Sequence, residues 1–238
     1  MMLRIIGTEA LDHLDADDPA AMRSRRDLGR IHRVMGTRSI VLRALRDSKL
    51  LRRDAGPLRM LELGAGDGSL MLRVARGLAP AWPQVDLTLL DRQSLVERVT
   101  IERYAELGWT AVAEVTDVLD WAEACAASRW DVIVANLFLH HFDALQLRVL
   151  LAAVAARGDR FFACEPRRDW LALAGSHLVG TIGANAVTRE DAVLSVHAGF
   201  RGNELTAAWP VGGVEWQLHE YSAGLFSHCF GAERIGAT

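Results

Sequence analysis

Apolar and polar positions between residues 58 and 166 switch repeatedly between a strand-like run and a helical stripe. LRMLEL (58–63) is apolar enough for a buried strand, and GSLMLRVARGLA (68–79) carries a helical stripe that opens at a glycine-rich turn. VDLTLLD (85–91) predicts a second strand, a helix falls within 93–107, and TAVAEV (110–115) predicts a third strand. WDVIVANLF (130–138) is the fourth, ALQLRVLLAAVAA (144–156) the next helix, and DRFFACEP (159–166) a fifth strand ended by proline. Strands separated in this way by helices are joined by right-handed crossovers. The pattern therefore predicts an α/β fold with a doubly wound, mostly parallel sheet covered on both faces.

Outside that region the pattern loosens. Leu28, Ile31 and Met35 share one stripe, and Ile40, Val41 and Leu45 another after Gly36, which predicts two short amphipathic helices within 19–50. After Pro166, residues 168–183 predict a helix, and Thr188 followed by Asp191 marks the start of another that Gly199 ends. ELTAAWP (204–210) and GLFSHCFGA (224–232) read as closing strands, with WQLHEY (216–221) extended between them. The expected division is an N-terminal helical extension over 1–54 and a sheet domain over 55–238, with an insertion at about 166–202.

Composition narrows the function classes. Half of the 238 residues are apolar and 24% charged, as in a globular protein of one domain. A net charge of -3 argues against a surface that holds nucleic acid by bulk electrostatics. Arg23, Arg25, Arg26, Arg30, Arg33, Arg38, Arg43 and Arg46 fall on the two N-terminal helices and could face RNA. Asp27 and Asp47 interrupt them, so a solvated helix face is the plainer account. Cys125, Cys164 and Cys229 lack CxxC spacing, which speaks against a zinc knuckle or a disulfide framework and for a reducing, cytoplasmic setting. The opening MMLRIIGTEALDHLD lacks the layout of a signal peptide, and no run approaches the ~18 apolar residues of a membrane span.

LELGAGDGS (61–69) places Gly64, Gly66 and Gly68 between the first strand and its helix, where a backbone can bend sharply and approach a ligand. A dinucleotide fingerprint reads GxGxxG, but here the third glycine comes after one residue and Ser69 follows it. A pyrophosphate is also poorly served by Glu62 and Asp67, whose carboxylates suit a cation better. The segment resembles the first motif of the class I, Rossmann-like S-adenosylmethionine-dependent methyltransferases of small-molecule type. Their acidic residue, spacer and GxGxG are matched by Glu62, Gly64, Ala65, Gly66, Asp67 and Gly68. The resemblance covers residues 58–165 and implies a seven-stranded sheet with S-adenosyl-L-methionine as cofactor, with the N-terminal helices of 1–54 and the insertion at about 166–202 forming the lid and the acceptor pocket. It further implies that Asp91, ending the second strand, accepts the ribose hydroxyls, and that Asp117, after the third, meets the adenine amino group. Arg92, Thr116 and Val118 would flank them, and Asn136 would line the methionine part or the acceptor. A carboxylate has the acceptor capacity for two hydroxyls. Helix capping is the simpler duty open to Glu62, Asp67, Asp91 and Asp117, although capping alone does not require GxGxG.

Methyl transfer from a sulfonium asks the protein mainly to align the acceptor and exclude water, while a hydroxyl acceptor gains from a base. The candidates are His140 and His141 after the fourth strand, with His140 preferred, and Glu165 ending the fifth. Packing is the competing role for the histidines, and an ion pair with an N-terminal arginine for Glu165. Adjacent residues diverge by about 100° on a helix or face opposite ways on a strand, and Asp143 is the one carboxylate at i+3 or i+4. No metal site is therefore expected. Trp170, Leu171, Leu173, Leu178 and Val179, with Trp209, Trp216 and Phe226, are candidates for an apolar acceptor wall. The leading expectation is O-methylation of a small aromatic, polyketide-like or quinone-like acceptor. Rivals are an RNA or protein methyltransferase docking through the arginine-rich helices, a NAD(P)-binding oxidoreductase, and a catalytically silent binding domain. The oligomeric state is left open.

Overall fold

The computed structural model describes residues 2–12, 14, 18–47, 56–82, 84–124 and 128–236. Two helices precede the sheet, α1 (Pro19–Met35) and α2 (Thr37–Asp47), separated by Gly36 in the left-handed conformation at φ 68°. The apolar positions of α2, Val41 and Leu45, enter the core on one face of the sheet. Next come β1 (Leu58–Leu63), α3 (Ser69–Leu78), β2 (Val85–Asp91), α4 (Arg98–Ala105), β3 (Trp109–Val115) and α5 (Val118–Glu123). They are followed by β4 (Val132–Asn136), α6 (Ala144–Arg157), β5 (Arg160–Pro166), α7 (Trp170–His177) and α8 (Ala186–Ala198). The chain closes with α9 (Glu204–Ala208), β6 (Trp216–Ala223) and β7 (Ser227–Arg234).

The seven strands form one sheet in the order β3-β2-β1-β4-β5-β7-β6, parallel except for β7, which runs antiparallel to both neighbours. The α/β, mostly parallel sheet read from the sequence is what the protein has. β1 shows why its residues make a central strand: Met60 packs into the core on one face, Leu61 and Leu63 into the core on the other. β1 lies between β2 and β4, so the chain direction of strand addition reverses there. Such a reversal opens a crevice at the carboxyl ends of the strands.

Three expectations change. The fourth strand stops at Asn136, because Leu137 adopts φ 49° and the chain turns into a 3-10 turn, Leu139–His141. ELTAAWP is the helix α9, not a strand: the Glu220 carboxylate on β6 accepts the amides of Leu205 at 3.0 Å and Thr206 at 2.7 Å. That long-range cap replaces the side-chain cap that Asn203 does not give, and Trp209 then packs against Phe161 with ring centroids 5.8 Å apart. α8 begins at Ala186 rather than Thr188, capped by Asn185, whose side chain accepts the Thr188 amide at 2.9 Å. Residues 168–183 hold α7 and a 3-10 turn Val179–Ile182, and WQLHEY belongs to β6.

Cys164 and Cys229 are buried free thiols facing each other across β5 and β7, while Cys125 and the expected boundary at 54/55 lie outside the described residues. Among the described residues no helix is long and apolar enough to cross a membrane.

Candidate functional site

The glycine turn between β1 and α3 is shaped by what packs on it. Gly64 has φ 67°, and a β-carbon there would stand 2.2 Å from the Phe138 ring. Gly66 has φ 56° with open space where its β-carbon would be, and its amide donates to Asp91 Oδ2 at 2.8 Å. The other Asp91 oxygen accepts the Gln93 amide at 2.9 Å, so the carboxylate is held in place at the end of β2 with lone pairs to spare. Glu62 is buried beneath the turn, and Oε2 meets no hydrogen-bond partner among the described residues. Its burial, together with the charges of Asp67 and Asp91, pushes its carboxyl well above the usual carboxylate range. A cation placed here would relieve that cost. Asn136 Oδ1 is a second buried acceptor without a partner among the described residues.

These groups line one cavity of about 560 Å³, a size suited to a drug-sized ligand. Glu62, Gly64, Ala65, Gly66, Asp67, Asp91, Arg92, Thr116, Asp117, Val118 and Asn136 all reach it. Gly68 does not line it: that residue is the N-cap of α3, and its carbonyl accepts the Tyr104 hydroxyl at 2.8 Å. Capping and cavity lining coexist in two of the acidic residues. Asp67 Oδ1 accepts the Ser69 amide at 2.9 Å and Asp117 Oδ1 the Leu119 amide at 2.8 Å. The donor set fits S-adenosylmethionine, because a sulfonium and an ammonium would face Glu62 and Asn136 while the ribose hydroxyls would reach Asp91.

Part of the apolar wall comes from α1, whose Leu28, Ile31, Val34 and Met35 line the cavity. Besides Ala21, what α1 buries is polar, Ser24 and Asp27. Asp27 Oδ2 accepts the Asn185 amide at 2.9 Å and the Thr188 hydroxyl at 3.4 Å, docking α1 on α8. Of the wall residues expected from the sequence, Val179 and Phe226 do line the cavity. Trp170, Leu171 and Leu178 are exposed, and Trp209 is in the core with Trp216 against it.

The two histidines sit on the 3-10 turn after β4, with ring centroids 4.2 Å apart and planes inclined by 33°. Both line the cavity, with their rings side by side. The argument that their side chains must point apart is corrected. Beneath the turn lies Glu165, with no solvent exposure. Its oxygens accept the amides of Phe138 at 3.1 Å, Leu139 at 3.0 Å and His140 at 3.4 Å, and one meets His140 Nδ1 at 2.8 Å. Glu165 therefore holds the turn instead of facing the cavity, and the base role expected for it is replaced by that support. The ion pair expected with an N-terminal arginine is indirect: Arg4 donates to the carbonyl of Phe142 at 2.9 Å.

His140 Nε2 lies 3.3 Å from Glu9 Oε1, so both of its ring nitrogens are engaged. Burial lowers its pKa, but the hydrogen bonds and charges of Glu165 and Glu9 more than offset this and raise it to about 9. His141 lines the cavity beside His140. Glu9 went unnoticed in the sequence because it lies on a stretch without periodicity. That stretch is fixed by Ile5 N on His197 O at 3.1 Å and by the amides of Ala10 and Leu11 on Asp191, at 2.8 and 3.1 Å.

No protein-family model and no curated protein matches the sequence. Solved structures do. An O-methyltransferase family protein from Burkholderia thailandensis is similar at 17% identity and TM-score 0.60, over 93% of this chain and 62% of that one. A Nostoc punctiforme protein assigned as an O-methyltransferase is similar at 14% identity and TM-score 0.53, over 97% of this chain and 64% of that one. A third, from the conversion of a disulfide bond into a thioacetal group during echinomycin biosynthesis, gives 18% identity and TM-score 0.54, over 83% and 82%. This chain thus spans less than two thirds of the length of the first two. The fold is that of the class I methyltransferases.

Proposed function

We propose that this chain transfers a methyl group from S-adenosyl-L-methionine to a hydroxyl oxygen of a small, largely apolar organic acceptor. The observation that carries the reading is the pair of buried, unpartnered acceptors, Glu62 Oε2 and Asn136 Oδ1, beside a glycine turn closed on Asp91. The cofactor supplies a methyl group already activated by a positive sulfur. Glu62 would hold the ammonium, Asp91 the ribose hydroxyls, and Asp117 with Thr116 and Val118 the adenine side of the cavity. Arg92 stands next to Asp91 along the same rim.

The acceptor would lie between the apolar stripe of α1 and Phe138 and Phe142, under α7 and α8, where water is displaced. His141 is the residue that meets its hydroxyl, since His140 is tied on both sides. The methyl–sulfur bond breaks as the oxygen–methyl bond forms, and the hydroxyl proton leaves at the histidine end. Alignment carries most of the rate in such a displacement. The free thiols Cys164 and Cys229 support a reducing, cytoplasmic setting.

The RNA-docking alternative has less support, because several of the arginines it needs are engaged. Arg30 pairs with Asp27 at 2.7 Å, Arg38 donates to Arg73 O at 2.9 Å, and Arg46 to Gly77 O at 2.8 Å. Calorimetry with S-adenosylhomocysteine and with NADH, then mass spectrometry of reactions with a panel of phenols, tests the proposal. Methylated phenol and binding of the homocysteine analogue are expected. Tight binding of NADH alone would remove the reading.

A further inference from the structure

The histidine end of the cavity contains more ligating groups than a hydroxyl acceptor needs. One donor atom from each of Glu9, His140 and His141 lies within 4.8 Å of the others, and all three residues line the cavity. Glu165 sits behind His140 at 2.8 Å from Nδ1. A carboxylate in that position fixes the tautomer that leaves Nε2 as a metal donor and raises its basicity. On the cavity side, Nε2 is 3.3 Å from Glu9 Oε1. Donors about 2.0–2.1 Å from one zinc ion stand roughly 3.3 Å apart in a tetrahedral set, so this pair already has the spacing. The His141 donor, within 4.8 Å of both, completes the triangle by a side-chain rotation.

The three donors rest on two separate supports. His140 and His141 ride on the 3-10 turn that Glu165 holds through backbone amides, and Glu9 receives a hydrogen bond from the Ser195 hydroxyl of α8. Two imidazoles and one carboxylate favour a first-row divalent transition ion over magnesium or calcium, which take oxygen donors. Three protein ligands leave coordination positions open, as in sites that bind a reactant rather than sites that staple a fold.

We propose that Glu9, His140 and His141 bind one zinc-class divalent ion whose open positions face the acceptor half of the cavity. Metal binding itself stands on these residues alone. Its use rests on the proposed methyl transfer, with His141 then acting on the acceptor through the ion instead of by direct contact: the ion would take the acceptor oxygen, the O–H bond would break with its proton going to solvent water, and the oxygen pair would attack the methyl group as the methyl–sulfur bond breaks. Acceptors whose hydroxyl ionises readily, phenols and enols, suit such a site best.

The test uses the full, untagged chain after removal of metal by a chelator. Cobalt(II) is titrated by visible ligand-field absorption, with zinc as competitor, and S-adenosylhomocysteine affinity is measured in parallel on the same samples. One cobalt per chain, displaced by zinc, is expected. Glu9→Gln and His141→Ala should each weaken it by more than the ~10–100-fold that loss of an outer partner produces. Retained S-adenosylhomocysteine affinity certifies that the variants are folded. No saturable cobalt signal in the parent chain, or cobalt binding that both variants keep, overturns the metal site. Loss of cofactor-analogue binding by the parent chain would instead strike at the methyl-transfer reading and leave the cobalt result readable.

Discussion

Replacing Glu165 separates a residue that supports the site from one that does chemistry in it. Its carboxylate accepts three backbone amides, from Phe138, Leu139 and His140, and meets His140 Nδ1 at 2.8 Å, all with no exposure to solvent. A hydrogen bond to a charged group contributes about 1.5–3 kcal/mol, but four bonds to one carboxylate do not add. Removing one partner of a buried ion pair costs about 3–5 kcal/mol, which sets the expectation for Glu165→Ala. For a chain of this length each kcal/mol lowers Tm by roughly 2–4 °C, so a fall of roughly 6–20 °C follows. Glu165→Gln keeps one acceptor oxygen and turns an amide donor towards other donors, and should lose about half as much. Urea denaturation and calorimetric melting measure both variants, with S-adenosylhomocysteine affinity as a check on the cofactor half. If Glu165→Gln stays within ~1 kcal/mol of the parent while turnover vanishes, the support role is refuted and a proton-transfer role restored.

Four further outcomes follow from the structure. Glu62→Gln should weaken S-adenosylhomocysteine binding by roughly 10–100-fold, since a charge-assisted hydrogen bond of about 1.5–3 kcal/mol is lost; unchanged affinity by calorimetry would contradict the ammonium assignment. Because the folded pKa of Glu62 is raised by burial and by Asp67 and Asp91, the same variant should gain stability over the parent as pH rises above the ordinary carboxylate range, read from urea midpoints at pH 5 and 8. Gly64→Ala places a β-carbon at φ 67° and 2.2 Å from the Phe138 ring, so about 1–2 kcal/mol of backbone strain joins a displaced ring, and analogue affinity should fall; a variant with parental melting and affinity would refute the close approach. His32 is lowered to about 4 by burial and by the charge of Arg73, against Asp67. Stability from its neutral form is fully present above pH ~6.5 and is lost as pH falls towards 4, so His32→Gln should flatten the urea midpoint over that window, and equal slopes would refute this.

The centre of the sheet could be read from the chain because β1, β4 and β5 are buried on both faces and their apolar runs are local signals. β6 and α9 were harder for one shared reason. Glu220 caps α9 from a strand that follows it, so the helix start has no marker within its own turn. The glycine turn, Asp91 and Asp117 were legible as a spaced motif. Glu9 was not, since an extended segment fixed by Asp191 and His197 shows no pattern of its own. The pairing of His140 and His141 was misjudged because Leu137 at φ 49° starts a turn that the strand pattern conceals.

α1 inverts the usual division of a surface helix, burying Ser24 and Asp27 against α8 while presenting Leu28, Ile31 and Met35 to the cavity. An acceptor that fills the cavity would complete the burial of those side chains, which is partial in its absence. The thermodynamic mark of that contact is a negative heat-capacity change, growing with the hydrocarbon area of the acceptor and small for polar ones.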